Sequence, residues 1–326
     1  MCAQVQRPRH AQARDILARL QREGIYNLYH FTNVQNLPSI ASHGGLFSKQ
    51  TLECLGKWPC EKPGGNTLSH NLDKQNDNWD KIGLNLTAHT PMFYTLKSKN
   101  HFCFCVVSLE VATWADTFFT DTNAAAFGHK RGQGLVGLNN IDFDMVRTLL
   151  PSDPNWRKLV QAEVLVKDKI PIELIEEIGF ISEASMLEGR RLWGRYNHPP
   201  FKIDKSLFAD YPEQTDRLCG LPYISKVTLT DMHVSKANYR TVTSKTRFRK
   251  NAETVITAVI KLESLVGTTA KVVWGNGIES VYQFDTWNTR TWWPSTSLRD
   301  LPVGINTLRI TLDDVLWATA NFEVFT

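Results

Sequence analysis

No run of about 18 apolar residues occurs anywhere in the 326-residue chain, so none of its segments reads as a membrane-spanning helix. Residues Met1 to Arg14 lack the apolar stretch of a secretory signal, so a cytoplasmic setting without membrane contact is expected. Cysteine is sparse. Cys2, Cys54, Cys60, Cys103, Cys105 and Cys219 include no Cys-x-x-Cys pair and no zinc-type set with histidine, so reduced thiols and no metal are expected. The missing ligand pattern also argues against a zinc-dependent base deaminase. There is no internal repeat and no low-complexity tract. Arginine is absent from residues 49–83, and no carboxylate lies between Asp231 and Glu253.

What remains is the composition of an ordinary globular protein, long enough for two domains, with a net charge of only +4. The informative residue is Glu163. It lies in Leu159-Val160-Gln161-Ala162-Glu163-Val164-Leu165-Val166, a run that predicts a buried strand. A carboxylate is costly to bury unpaired, so it is either a structural hydrogen-bonding group, a solvent-facing one or a functional one.

Three upstream blocks decide between these. The first is Leu28-Tyr29-His30-Phe31-Thr32, a short strand followed by a helix that starts near Asn33 or Asn36 and stops at Gly44-Gly45. The second is Leu84-Asn85-Leu86-Thr87-Ala88-His89-Thr90-Pro91-Met92-Phe93-Tyr94. The third is Phe118-Phe119-Thr120-Asp121-Thr122-Asn123-Ala124-Ala125-Ala126. In this order, and ending in the Glu163 strand, the series over roughly residues 25–185 resembles the DarT family of NAD-dependent ADP-ribosyltransferase toxins. That family modifies bases of single-stranded DNA, and relatives with a similar core act on RNA.

The resemblance implies an α+β ADP-ribosyltransferase core with NAD as co-substrate. Glu163 would be the catalytic carboxylate, since the transition state at the ribose is oxocarbenium-like and a carboxylate offsets positive charge or takes a proton. His30 and Thr32 would hold NAD, with Ser39 and Ser48 as secondary contacts and Tyr94 stacking on nicotinamide. The loop before Glu163 would face the acceptor, with Asn123, Lys130 and Arg131 touching base or phosphate. One departure stands out. The family's basic stretch after the first helix carries a functional Arg, whereas residues 49–83 offer only lysines and His70, so either Lys74 or His70 takes its part or substrate and NAD are oriented differently. Pro63-Gly64-Gly65 marks this stretch as a loop or lid.

From about Tyr223 the texture changes. Short β-branched runs at 227–230, 255–262, 270–274, 281–284, 308–312 and 320–324 are separated by turn residues, which predicts a C-terminal all-β, Ig-like sandwich domain. The expected division is a transferase domain with its N-terminal helix and linker over 1–222, and a β-sandwich recognition domain over 223–326. The β part holds 12 basic residues against 9 acidic ones, most of the excess lying in Lys236–Lys250. Tyr239 and Phe248 interleave with that stretch, and Trp287, Trp292 and Trp293 cluster nearby. These could grip a nucleic-acid strand, protect a sheet edge or plug a core. The β part contains no catalytic set, so it is expected to be dispensable for chemistry.

The expected function is an NAD-dependent transferase acting on a base of single-stranded RNA or DNA, as the toxin of a toxin–antitoxin or phage-defence system with a protein antitoxin or regulator. The competing readings are a degenerate core serving as a scaffold, and a protein ADP-ribosyltransferase.

Overall fold

The computed structural model describes residues 7–65, 67–96, 101–148, 155–208, 223–251, 253–263, 268–284 and 291–326. Trp287, Cys2, Cys219 and the 209–222 stretch lie outside the described residues. Among these residues, no helix is long and apolar enough to cross a membrane.

The first strands are β1 (Asn27–Asn33), β2 (Gly45–Phe47), β3 (Lys81–Asn85), β4 (Phe102–Ser108), β5 (Phe118–Thr120), β6 (Arg131–Gly132), β7 (Glu163–Lys167), β8 (Lys169–Pro171), β9 (Ile175–Phe180) and β10 (Phe201–Ile203). Eight of them form one sheet in the order β10-β9-β4-β1-β3-β7-β5-β6, and β2 pairs with β8 apart from it. The sheet is antiparallel except where β10 lies parallel to β9. β1 pairs with β4 along its whole length, but with β3 only at Tyr29↔Asn85. Beyond that point β1 and β3 form no further register pairs, so the ladder in the middle of the sheet is split there.

The helices are α1 (Ala13–Arg22), α2 (Leu37–His43), α3 (Lys49–Cys54), α4 (Thr67–Gln75), α5 (Pro91–Leu96), α6 (Gly134–Leu138), α7 (Phe143–Thr148), α8 (Trp156–Leu159) and α9 (Glu183–Trp193). α1 buries Ile16 and Leu20, the apolar stripe the sequence shows. The Asn33 side chain accepts from Gln35 N to start the turn before α2, and Gly44 ends α2 at φ 69, a left-handed cap that glycine adopts without Cβ strain. The Glu163 strand is shorter than its apolar run. Residues 156–159 are helical, with Trp156 and Val160 packed together, so the strand begins at Glu163 itself. Periodicity alone cannot separate a short buried helix from a strand. The 49–83 stretch is likewise partly helical, with α3 capped by Ser48.

Strand alternation gives the sheet two faces. Leu28, Cys103, Cys105, Val164 and Val166 face a core closed by α1, α2 and α9. Tyr29, Phe31, Phe104 and Val106 face the other way. That second face is covered by Phe93, Phe208 and the β-rich C-terminal region.

The C-terminal strands are β11 (Tyr223–Thr230), β12 (Arg247–Arg249), β13 (Val255–Glu263), β14 (Thr269–Val273), β15 (Glu279–Gln283), β16 (Thr291–Trp292), β17 (Ser295–Ser297), β18 (Gly304–Leu312) and β19 (Val315–Phe325). One sheet runs β11-β13-β16, with β17 also on β13; the other runs β12-β19-β18-β14-β15. Ile256, Ala258 and Ile260 of the first share one apolar cluster with Val272, Ile310 and Phe322 of the second, and with Phe104 and Val106 of the α+β sheet. The chain is therefore an α+β core joined to a distinct β-rich region through continuous buried surface. α9 adds a polar tie. Glu188 is bound by Arg191 at 2.8 Å and by Arg309 of β18 at 3.4 Å, and these guanidinium groups pull its carboxyl down to about 2.

Candidate active site

Glu163 opens β7, opposite Asn85 of β3 and Thr120 of β5. Paired residues share a face, so Tyr29, Asn85, Glu163 and Thr120 form a row across the sheet next to the split. The loop after β5 returns over the carboxylate. Asn123 Nδ2 donates to Oε1 at 3.2 Å and the Ala124 backbone N–H donates to Oε2 at 3.0 Å. Asn123 Oδ1 in turn accepts from Ala125 N at 2.9 Å, which locks the amide. Each carboxylate oxygen keeps a lone pair for a further partner.

Burial raises the Glu163 carboxyl to about 7; Asp73 pushes the same way, while the Ala124 N–H and Lys49 oppose it. A carboxyl balanced near neutrality can accept a proton during reaction and yet be drawn into its charged form by a cationic substrate.

Gly83 joins Glu163 to His30. A Cβ built at Gly83 would lie 3.7 Å from Glu163 Oε2, so the carboxylate rests on the bare glycine. From the neighbouring β1, His30 Nδ1–H donates to the Gly83 carbonyl at 3.1 Å. Burial holds the imidazole below its ordinary value, and Lys49 adds to the effect. His30 is thus neutral with its proton on Nδ1, and Nε2 is left as an acceptor. Thr32, next on the same side of β1, has its hydroxyl bound by Asn36 Nδ2 at 3.0 Å. Asn36 is buried and also clasps both backbone groups of Lys62, at 2.8 and 2.9 Å. This clasp pins the 55–65 segment beside Thr32.

The other expected site residues fall in different places. Ser48 is buried and spends its hydroxyl capping α3, accepting from Thr51 N at 3.1 Å. Ser39 lies on α2, where its carbonyl bonds His43 Nδ1 at 2.6 Å. Tyr94 sits in α5, and its side chain is outside the described residues. Lys130 is exposed, its backbone N–H donating to Asp121 at 2.8 Å. Arg131 points inward. It donates to the Asn78 side chain at 3.1 Å and to the Asn76 carbonyl at 3.2 Å, and lies over the Phe118 ring at 4.4 Å. Asn76 and Asn78 both donate to the Ala124 carbonyl, at 3.0 and 3.1 Å. Arg131 therefore braces the peptide that holds Glu163.

Neither substitute considered for the family's Arg reaches the carboxylate. Lys74 lies over the Trp79 ring at 4.2 Å, and His70 bonds the Gly64 carbonyl at 2.7 Å. The cation whose charge acts on both Glu163 and His30 is Lys49, at the first position of α3, paired with Asp73 of α4. Sequence reading missed Lys49, Asp73, Asn36 and Gly83. Gly83, a glycine inside a strand pattern and so a mark of close approach, was the one legible signal among them.

A family model described as ssDNA thymidine ADP-ribosyltransferase, DarT, matches residues 29–208, a little over half of the chain. Among solved structures, a DarT from Thermus sp. 2.9 in complex with ADP-ribosylated ssDNA is 19% identical, with a TM-score of 0.45 over 57% of this chain and 97% of that one. DarTG from Thermosipho africanus in complex with ADP-ribose is 19% identical, with a TM-score of 0.46 over 56% of this chain and 51% of that one. An immunoglobulin-like protein from Pseudomonas aeruginosa is 16% identical, with a TM-score of 0.25 over 32% of this chain and 96% of that one. No curated protein matches the chain.

Proposed function

The chain belongs to the DarT family and is an NAD-dependent ADP-ribosyltransferase, and we propose that it transfers ADP-ribose to a base of single-stranded DNA with Glu163 as the catalytic carboxylate. The observation that carries this reading is the Glu163 carboxyl, oriented by Asn123 and Ala124 over Gly83, whose carbonyl is bound by the neutral His30. NAD lies at the split between β1 and β3. His30 and Thr32 meet it from β1. Lys49 is the lysine of the arginine-free 49–83 stretch whose charge acts on Glu163. As the nicotinamide bond breaks, the carboxylate offsets charge on the ribose and takes the proton of the attacking base nitrogen. Asn123 and Arg131 act on this step through the carboxylate and its loop.

The wider reading is a toxin paired with a protein antitoxin, working in the cytoplasm where NAD and single-stranded DNA occur. Residues 1–222 form the transferase domain. Residues 223–326 form an Ig-like sandwich, supported by two sheets that send alternate residues into one shared core. The test is labelled NAD offered to separate pools of single-stranded DNA, RNA and protein. Label on DNA is expected; label confined to RNA or protein sinks the acceptor assignment.

Two further outcomes follow from the geometry. His30→Ala removes a hydrogen-bonding group from the NAD wall, so calorimetry should show NAD affinity falling about 5- to 10-fold, the scale of one hydrogen bond. Unchanged affinity would take β1 out of the cofactor site. Lys49→Gln removes a charge that lowers the Glu163 carboxyl, so the acid limb of the kcat/KM profile should move to higher pH. Asp73→Asn removes a charge that raises it, so its limb should move to lower pH. Two variants with the parent profile would show that this ion pair does not act on the reacting carboxylate.

A further inference from the structure

The basic stretch of the β-rich region is mostly spent on internal contacts. Lys245 pairs with Asp231 at 2.6 Å, Arg247 with Glu323 at 2.7 Å, and Lys250 donates to the Leu301 carbonyl at 2.9 Å. Lys236, Arg240 and Arg249 are exposed and make no ion pair among the described residues. Arg240 flanks a built aromatic feature. The Tyr239 and Trp293 rings stack with centroids 5.8 Å apart and planes 23° apart. The Arg240 guanidinium lies 5.3 Å from the Tyr239 centroid, and its Nε donates to the phenol oxygen at 2.9 Å.

The stack is held in place before any ligand arrives. Asn238 ties its loop together, accepting from Ser235 N at 2.7 Å and donating to the His233 carbonyl at 2.7 Å. Tyr239 N bonds the Ser235 carbonyl at 3.1 Å. On the other side, Trp292 lies opposite Ile260 of β13 and packs on the core cluster. Trp293, the residue just after β16, stacks on Tyr239 and is absent from the core cluster. Core packing therefore explains Trp292 and leaves Trp293 without a structural reason.

We propose that the Arg240–Tyr239–Trp293 stack is a second binding site for single-stranded nucleic acid, separate from the catalytic site. A nucleobase has a flat face that an aromatic ladder accepts whatever its sequence, and its phosphates meet Arg240 and Lys236. No carboxylate lies between Asp231 and Glu253 to repel the backbone. The inference rests on the reading of the acceptor as a nucleic-acid strand. It adds a tether that holds a strand whose target base is presented elsewhere, to Glu163.

The test uses the full chain with Glu163→Gln, so that binding is read without turnover and is independent of whether any acceptor is modified. The probe is a fluorescein-labelled 30-nucleotide single strand of mixed sequence, followed by anisotropy over a range of salt. Tyr239→Ala with Trp293→Ala should weaken binding about 5- to 150-fold, the drop expected for one stacked base. Trp293→Phe should retain most of the affinity. Arg240→Glu should flatten the dependence of log affinity on log salt by about 0.7 for each phosphate that is no longer neutralised. NAD affinity should stay at the parent level in all of them. Unchanged strand affinity in a double variant with the parent melting temperature overturns the proposal. So does an equal fall in NAD affinity, because the substitution then acts through the catalytic site. Binding of an acidic peptide or a glycan that the double variant loses, with strand affinity intact, overturns it in favour of a protein or sugar partner.

Discussion

Glu163→Gln should lower ADP-ribose transfer by about 10²–10³, the usual effect of deleting one electrostatic stabiliser, while leaving the fold intact. Gln keeps the shape and can still accept from Asn123 or from Ala124, but it carries no charge and takes no proton. The same variant should be more stable than the parent above neutral pH. The Glu163 carboxyl is raised to about 7 from an ordinary 4.5, so the folded chain holds a proton there that the unfolded chain has released. Stability is therefore lost as pH rises from about 4.5 to about 7, and above that the full cost of the buried charge is present, up to about 3 kcal/mol. Denaturant melts at pH 5 and pH 8 should show that loss in the parent and not in the variant. Parent-level transfer by the variant would remove Glu163 from the mechanism. A parent-like pH dependence of stability would show that its carboxyl is not held in the protonated form.

A chain ending at Pro222 should fail to fold as a soluble enzyme, against the expectation from sequence that the β part can be removed without harm to chemistry. The reason is the shared cluster. Phe93, Phe104, Val106 and Phe208 belong to the α+β core and are buried in the same cluster as the C-terminal sheets. The Phe104 ring lies 4.9 Å from that of Phe93 and 5.2 Å from that of Phe208. Exposing four such side chains costs roughly 6–12 kcal/mol at about 1.5–3 kcal/mol each, comparable to the whole stability of a typical domain. Glu188 would lose Arg309 as well. A milder version keeps the full chain: Phe104→Ala should lower stability by about 3–5 kcal/mol in denaturant melts. A soluble truncated chain with a cooperative melt and full transfer would show that the two parts share no essential surface.

The coupling reaches the catalytic face. Phe93 follows the Leu84–Thr90 block and Phe104 lies opposite Phe31, one residue from both His30 and Thr32. The β-rich region is thus packed against the back of the strand that carries His30 and Thr32, whereas the sequence suggested only a separate recognition module.

Much of this protein can be read from residue order alone. The strand-like runs holding His30, Thr32 and Glu163 were legible because strands and caps follow local patterns, and the transferase core was read from the resemblance of these blocks, in their order, to the DarT family. Gly44 ends α2 for the conformational reason visible in the sequence. Short β-branched runs located most strands of the C-terminal region, while Arg247–Arg249, Thr291–Trp292 and Ser295–Ser297 were too short to stand out. Trp292 and Trp293 were expected to face opposite ways, as adjacent residues of a strand must, and one packs on the core while the other stacks on Tyr239.

Tertiary structure alone decided which groups surround the carboxylate. Asn123, expected to face the acceptor, binds Glu163, and Arg131, expected to touch base or phosphate, braces the Ala124 peptide through Asn78. Lys49 looked like any surface lysine, yet α3 and α4 bring it and Asp73 to the catalytic charge. Covalent order specifies strand pattern, helix caps and residue chemistry, since each depends on neighbours a few positions away. The charge state of Glu163, the tautomer of His30 and the shared core depend on desolvation and on contacts between residues far apart in the chain, and these exist only once the sheet has assembled.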